Sequence, residues 1–355
     1  MYSQNMDSST NLPEPKEREA RPEWSAVPPE VLHDIEDITG QIHHAEIAWG
    51  GYSPSACFCV QAEKGDFFIK GSHPAQTSHG AAALRQEVHT YQTLEFLESY
   101  APKFHGTVSF GDEDCWRLGI WSKISGQTAL PWTEDKVKKA VTYLYDMHQN
   151  VHKEDVPDLP HGRDSNYVSD FFLGKRNWKR FAVRDDSNRQ DHFCAMFQDP
   201  KQVEEWLDQY LDQWIAYQDG VVDVEKPEGV LHFDLRSDNI LFDENGKPVI
   251  IDWANACWGP ILFDLVSFAI CVRAESQIHP QYIMTIYEDL SGFQFPKEHV
   301  LSVISVICGY FADNIWRNVP KELPRIRWIQ KQCLNAGLIW MSDETDIAFL
   351  GYFQP

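Results

Sequence analysis

The sequence predicts an α+β protein of two lobes, a small β-rich lobe followed by a larger, mainly helical one. Three observations carry that reading. Strand-like alternation fills the first part, as in Ala56-Cys57-Phe58-Cys59-Val60 and Phe67-Phe68-Ile69, whereas from Thr133 onward apolar residues recur at helical spacing. The 355 residues, 43% of them hydrophobic, exceed what one small core holds and suit two. Thirteen tryptophans and twenty phenylalanines supply aromatic mass for both.

Residues 1–27 are rich in Ser, Pro, Glu and Arg with few apolar anchors, which predicts a disordered tail. The small lobe, 28–121, follows. Trp49-Gly50-Gly51-Tyr52-Ser53 precedes its first alternating stretch, and glycines there let backbone N–H groups come close to a phosphate; an ordinary turn is the competing reading. Beyond a turn near Lys64-Gly65, Lys70 closes an apolar strand, either as a phosphate ligand or simply as a strand end. Leu84, Val88, Tyr91 and Leu94 then mark a helix. Glu87 sits beside that stripe, and an inward carboxylate invites a cation, with Lys70 the candidate; Glu95 and Glu98 lie nearer the helix end. The sheet continues through Phe104–Phe110, turns at Gly111-Asp112-Glu113-Asp114, and runs from Cys115 to Ile124, with Gly126 ending the strand.

In the second lobe Thr133 is a candidate N-cap for a helix whose face carries Val137, Val141, Leu144 and Met147. His148 and His152 follow, but without an HExxH pattern or a carboxylate partner they read as helix-end histidines rather than a metal pair. The Trp- and Asp-rich stretch from Gly162 to Gly229 predicts helices near Tyr167–Phe181 and Val203–Tyr217.

The chemistry concentrates in HFDLRSDN, His232 to Asn239, and IIDW, Ile250 to Trp253. Between them two β-prone segments meet at Asn245-Gly246, the dipeptide suited to a two-residue type I′ turn. That register sets Asn239 opposite Asp252, with Cβ atoms about 4.5–5.5 Å apart, close enough to share a hard cation such as Mg²⁺. Pro248 cannot donate to a ladder, so its strand must be an edge there or the register must break. Asp234, one loop earlier, is placed to accept a proton from a substrate hydroxyl or to orient it. Arg236 is a candidate for stabilising charge on a transferred phosphoryl group, a surface ion pair being the alternative, and His232 for holding the loop through backbone hydrogen bonds. Singly, Asp234 reads equally as a loop cap, Asn239 as a turn residue and Asp252 as an Asx turn.

Taken together, the HxDxxxxN segment followed by IDW resembles the aminoglycoside phosphotransferase and choline kinase superfamily, the small-molecule kinases with a protein-kinase-like fold. The chain departs from that family in carrying Phe233 where Gly is usual. It departs from protein kinases in following Asp252 with Trp-Ala and in leaving no room for an activation segment before the apolar run at Ile261. The resemblance implies a hinge at 122–126, where the backbone of Ser122 and Ile124 pairs with adenine, and a catalytic and substrate-binding lobe over 127–355. It further implies a Lys70–Glu87 couple, Asp264 as a brace for the catalytic loop, and Mg²⁺ held by Asn239 and Asp252. The implied reaction moves the γ-phosphate of ATP, with GTP also open, to a hydroxyl of a small molecule such as an antibiotic or related metabolite. A catalytically silent nucleotide-binding scaffold and a protein kinase are the alternatives.

The net charge of −22 argues against nucleic acid as a partner, since phosphate tracking needs clustered Lys and Arg. It suits either a cationic substrate or plain solubility, and the same choice applies to the acidic cluster Asp343, Glu344 and Asp346. No apolar run reaches the ~20 residues of a membrane span, and the N-terminus lacks a leader pattern, so a cytoplasmic protein is expected. The eight cysteines include no CxxC pair and read as reduced thiols.

Overall fold

The computed structural model describes residues 12–354 except 75–77, 112–115, 157, 158, 160, 163, 165, 176 and 183–187. The chain forms two compact units, Glu19–Tyr167 with Pro227–Asp264, and Met1–Arg18 with Val168–Lys226 and Leu265–Pro355. These units do not follow a single cut at the 122–126 segment.

In the first unit, helix α1 (Pro29–Thr39) precedes strands β1 (Ile42–Ile47), β2 (Ala56–Ala62) and β3 (Gly65–Ser72). Helices α2 (Ser78–Thr93) and α3 (Leu97–Tyr100) then lead to β4 (Phe104–Phe110) and β5 (Trp116–Ser122). The strands form one antiparallel sheet in the order β1-β2-β3-β5-β4. Alternation decides which side chains meet: Phe58, Val60, Phe67, Ile69, Leu118 and Ile120 pack with Val31 and Ile35 of α1 in one core. Lys70, one residue on from Ile69, therefore faces the other side of the sheet. There α2 presents Leu84 and Glu87, both buried.

Residues 1–11 of the expected tail lie outside the described residues, but the remainder differs from expectation. Trp24 packs edge-on against Phe58 with ring centroids 4.9 Å apart, and Val27 is 4% exposed within the sheet core. These two apolar side chains add to the same core that α1 covers, which seats the segment on the sheet.

After β5 the chain forms a short strand β6 (Gly126–Thr128), then α4 (Glu134–Asn150), β7 (Glu228–Leu231), β8 (Ile240–Asp243), β9 (Pro248–Ile250) and β10 (Cys257–Pro260). Gly126 thus opens a strand instead of ending one, since Gly126–Thr128 pairs with Asp243–Leu241. The turn expected at Asp112-Glu113-Asp114 lies outside the described residues. Thr133 caps α4 by accepting the Lys136 amide at 3.2 Å, and Val137, Val141, Leu144 and Met147 are buried along its face. His148 is buried, whereas His152 caps a short 3₁₀ turn with Asp155.

The β8–β9 hairpin differs from the sequence expectation by one residue. Its pairs are Ile240 with Ile250, Leu241 with Val249 and Phe242 with Pro248, and the Asp243 amide donates to the Lys247 carbonyl at 2.9 Å, so the loop holds three residues, Glu244-Asn245-Gly246. The Asp243 carboxylate accepts the amides of Asn245 at 2.9 Å and Lys247 at 2.8 Å, and Gly246 takes φ +73°. That is the three-residue solution, a turn closed by a left-handed glycine, and the Asp243 side chain tips the choice toward it. Asn239 then pairs with Ile251, whose amide donates to the Asn239 carbonyl at 3.0 Å. Pro248 sits in a position where its nitrogen points away from β8, on the edge strand of the β6-β8-β9 sheet, so no ladder bond is lost.

The second unit is helical, with α5 (Tyr167–Gly174), α6 (Lys179–Ala182), α7 (Asn188–Cys194), α8 (Pro200–Asp219), α9 (Leu262–Glu275), α10 (Pro280–Ser291), α11 (Lys297–Ala312) and α12 (Ile326–Glu344). The single helix expected over Tyr167–Phe181 is broken after Gly174, and Asn177 adopts a left-handed φ of +30° in the break. Trp178 and Trp214, both fully buried, pack at a tilt with ring centroids 4.8 Å apart, and the Trp178 indole donates to the Ser305 carbonyl at 2.9 Å. Such an acceptor offsets the cost of burying the indole N–H. Of the acidic cluster, Asp343 pairs with His279 at 3.4 Å and Glu344 with Lys297 at 3.2 Å, as a solvated face does. The described cysteines are all free thiols, Cys115 lying outside the described residues. Among the described residues no helix is long and apolar enough to cross a membrane.

Candidate active site

All eleven candidate site residues fall within the first unit, and most converge on the loop between β7 and β8. Backbone conformation begins the arrangement. Phe233 has φ +61° and Asp252 φ +66°, both in the left-handed region that side chains with a Cβ seldom occupy. Asp264, 1% exposed, holds the first of these bends by accepting the amides of His232 at 2.7 Å and Phe233 at 3.0 Å. His232 ties the two clusters together: Nε2 lies 2.8 Å from the Ile251 carbonyl and Nδ1 accepts the Asp234 amide at 3.3 Å. Those partners fix the neutral imidazole with its proton on Nε2, and burial pulls its pKa down, against the pull of Asp264. The Trp253 indole packs edge-on against His232 at 4.9 Å and donates to the Ile250 carbonyl at 3.0 Å.

With the loop so held, Asp234 projects beside Asn239 and Arg236. Asn239 Nδ2 donates to the Asp234 carbonyl at 2.8 Å, which leaves its amide oxygen as the outward acceptor. Arg236 bridges two carboxylates, Nε lying 3.2 Å from Asp234 Oδ1 and Nη2 3.2 Å from Asp238 Oδ2, and its guanidinium lies 5.5 Å from the Tyr52 ring centroid. Burial pushes the Asp234 carboxyl up to about 6, with Arg236 opposing. It is still ionised at neutral pH, and poised closer to proton acceptance than an ordinary aspartate.

Lys70 forms the second focus. Its ammonium stands 3.0 Å from Glu87 Oε2 and 2.6 Å from Asp252 Oδ1. Burial alone would lower the lysine pKa, but the two carboxylates outweigh it and hold Lys70 charged. Burial raises Glu87, with Lys70 pulling the other way. For Asp252 burial acts upward as well, yet Lys70 prevails and the carboxyl is lowered. Asn239 faces Ile251 and not Asp252 as expected, but both residues neighbour Asp234, to which Asn239 donates and whose pKa the Asp252 charge raises; they supply one amide oxygen and one carboxylate. Such a pair suits Mg²⁺, which takes one or two protein oxygens and fills its octahedron with phosphate and water oxygens. Among the described residues there is no cluster of three or more His, Cys, Asp or Glu side chains of the kind a fully protein-caged ion needs.

The glycine loop lies near the same centre: a Cβ built on Gly51, φ +65°, would stand 3.5 Å from Asp238 Oδ2. Ser53 Oγ bonds Ser55 Oγ at 2.7 Å and accepts the Ser55 amide at 3.2 Å, which shapes the loop's exit into β2. At the hinge, the Ser122 amide is already committed to the Lys103 carbonyl at 2.8 Å, and Lys123 donates to Asp66 at 3.0 Å, so Ser122 has no amide to offer a base. Ile124 follows this pairing, half-buried. The sequence reading did not single out Asp238 or Tyr52; it marked Phe233 as standing where Gly is usual, and the structure gives that residue the left-handed backbone that Gly adopts freely. Asp238 stands inside the HFDLRSDN motif, where a second carboxylate two residues from an arginine was the available signal.

The sequence matches the phosphotransferase enzyme family over residues 44–289, more than half the chain. A two-lobed kinase-like fold with this site defines the class, and the chain belongs to the phosphotransferase enzyme family. No curated protein matches it. Solved structures share its fold at low identity. An aminoglycoside phosphotransferase from Alicyclobacillus acidocaldarius aligns with TM-score 0.56 and 15% identity over 90% of this chain and 95% of that one. A thermostable mutant of aminoglycoside phosphotransferase APH(4)-Ia, in ternary complex with ADP and hygromycin B, aligns with TM-score 0.53 and 14% identity over 87% and 98%. Amicoumacin kinase hAmiN, in complex with AMP-PNP, Ca²⁺ and Ami, aligns with TM-score 0.51 and 11% identity over 93% and 97%.

Proposed function

We propose that this phosphotransferase moves the γ-phosphoryl group of ATP to a hydroxyl of a small molecule, an antibiotic or related metabolite. The observation that carries the reading is the convergence of Asp234, Asn239, Asp252 and Lys70 on one loop-and-hairpin centre, with Lys70 held between Glu87 and Asp252. The ADP–hygromycin B and AMP-PNP–Ca²⁺ complexes of its structural relatives support a nucleotide, a divalent ion and an antibiotic-like acceptor.

Each residue has a task. Asp234 accepts the acceptor's hydroxyl proton while that oxygen forms its bond to the γ-phosphorus and the bond from phosphorus to the β-γ bridging oxygen breaks, releasing ADP. Arg236 first fixes the Asp234 carboxylate, and it lies close enough to share in stabilising phosphoryl charge. Lys70 fixes the nucleotide phosphates, and the glycine loop, Gly50 and Gly51 through Ser53, covers them. Asn239 and Asp252 would hold Mg²⁺, which would neutralise phosphate charge. Adenine lies against the 122–126 segment, with Ile124 the residue to contact it.

Incubating the protein with labelled ATP, Mg²⁺ and a panel of hydroxylated small molecules and generic proteins tests the reading. Label on a small molecule, abolished in Asp234→Asn with ATP binding kept, is the expected result. Label on protein alone, or none on any acceptor, overturns it.

A further inference from the structure

We propose that Arg21, in the segment ahead of α1, is a positioning residue that pre-shapes the nucleotide-phosphate loop; the proposal rests on the assignment of Trp49–Ser53 to that loop. All three guanidinium nitrogens of Arg21 donate into this one stretch: Nη1 to the Ala48 carbonyl, Nη2 to the Gly50 carbonyl and Nε to the Ser53 carbonyl at 3.2 Å. The guanidinium also lies 5.9 Å from the Trp49 ring centroid, although Trp49 is 61% exposed and has little other reason to be held.

The geometry has a directional consequence. In a trans peptide the C=O and N–H of one unit point in opposite directions. Drawing the Ala48 and Gly50 carbonyls onto one cation therefore turns the Trp49 and Gly51 amides away from it. Ala48 itself is anchored to the sheet, its amide donating to Cys57 at 2.9 Å, so the loop cannot simply rotate to follow the arginine. Gly51 itself lies beside the catalytic loop, since a Cβ built on it would stand 3.5 Å from Asp238 Oδ2. A planar fork of five N–H donors can gather several carbonyls at once, whereas an ammonium on a flexible stem cannot hold the same three in fixed relation. The segment is in turn fixed to the sheet core by Trp24 and Val27, three and six residues on. An N-terminal strap thus sets the conformation of a loop about thirty residues away by carbonyl capture, and orders its amides before any phosphate arrives.

The test is calorimetric titration of the intact protein with Mg·ATP and, separately, with adenosine, which occupies the base site but has no phosphates. Arg21→Ala is expected to weaken ATP about tenfold, the scale of one lost preorganised contact, while leaving adenosine affinity unchanged. Arg21→Lys, which keeps the charge and guards against a folding failure in the alanine variant, is expected to fall between alanine and wild type. Equal ATP affinity in all three proteins, or a parallel loss of ATP and adenosine, overturns the proposal. Wild-type protein that binds neither ligand overturns the nucleotide assignment itself, a separate and recognisable outcome.

Discussion

Asp252 Oδ1 lies 2.6 Å from the Lys70 ammonium, closer than Lys70 stands to Glu87 at 3.0 Å. One half-buried cation thus serves two carboxylates from different elements, a helix and the end of a hairpin. Lys70→Met removes it and leaves the two acids facing each other without compensation. The expected result is a loss in kcat on the order of 10²–10³-fold, as for removal of a preorganised electrostatic group, together with weaker ATP binding. Lys70→Arg should not restore activity, because a planar fork does not fit a site built for a compact ammonium. Steady-state kinetics on the three proteins checks this, and wild-type kcat in Lys70→Met would refute the role.

Asp264 accepts two adjacent backbone amides in a fully enclosed position. Asp264→Ala orphans both, at roughly 3–5 kcal/mol for two bonds to a charged acceptor, whereas Asp264→Asn retains one good acceptor and should cost about half as much. Urea midpoints measured side by side are expected to rank wild type, then Asn, then Ala. Equal midpoints for the two variants would show that the amides find other partners.

Phe233 takes a left-handed backbone at φ +61° while its ring meets Tyr167 edge-on at 6.0 Å, and Tyr167 stacks on His161 at 5.0 Å. The bend is set by Asp264, so the side chain tolerates it instead of causing it. Phe233→Gly should relieve about 1–2 kcal/mol of backbone strain and lose a similar amount of ring packing, leaving stability nearly unchanged. Phe233→Val keeps a Cβ, adds β-branching and lacks the ring, and is expected to lower stability by about 2 kcal/mol or more. Thermal unfolding of both variants decides; a valine variant as stable as the glycine one contradicts the strain argument.

His148 on α4 is buried, and burial depresses its pKa from the ordinary 6.5 to about 4, a hydrogen bond to the Val230 backbone opposing. The unfolded chain therefore binds this proton more readily than the folded one between those values. Its contribution is intact above about 6.5 and shrinks as pH falls toward 4, by at most about 3 kcal/mol. His148→Leu cannot take up a proton and should lose less stability than wild type between pH 7 and pH 4.5 in urea unfolding. Identical pH slopes for the two proteins would remove His148 as the cause.

Much of this site was legible in the sequence because its parts are local. The HFDLRSDN segment, the hairpin and IDW lie within about twenty residues, and the Lys70–Glu87 pairing follows from strand alternation meeting a helical stripe. The hairpin register was misread by one residue because the Asp243 carboxylate, three residues before Gly246, competes with the Asn-Gly preference, and that competition is settled by side-chain geometry. Arg21 was read as part of a disordered tail, since composition records few apolar anchors and cannot show that one tryptophan has a sheet waiting for it. The Lys70–Asp252 contact was likewise invisible, joining residues far apart in the chain through a left-handed turn at Asp252 that aspartate tolerates better than most residues but that its presence alone does not announce.

The orientation of Pro248 has a further result for the behaviour of the protein in concentrated solution. β9 is the rim of its sheet, and of its three residues Pro248 has no proton to offer outward while the outward carbonyl of Ile250 is capped by the Trp253 indole at 3.0 Å. All three residues of β9 are buried, so a stray extended peptide finds no open strand edge there. The same few residues that shape the hairpin thus also keep neighbouring molecules from growing onto it.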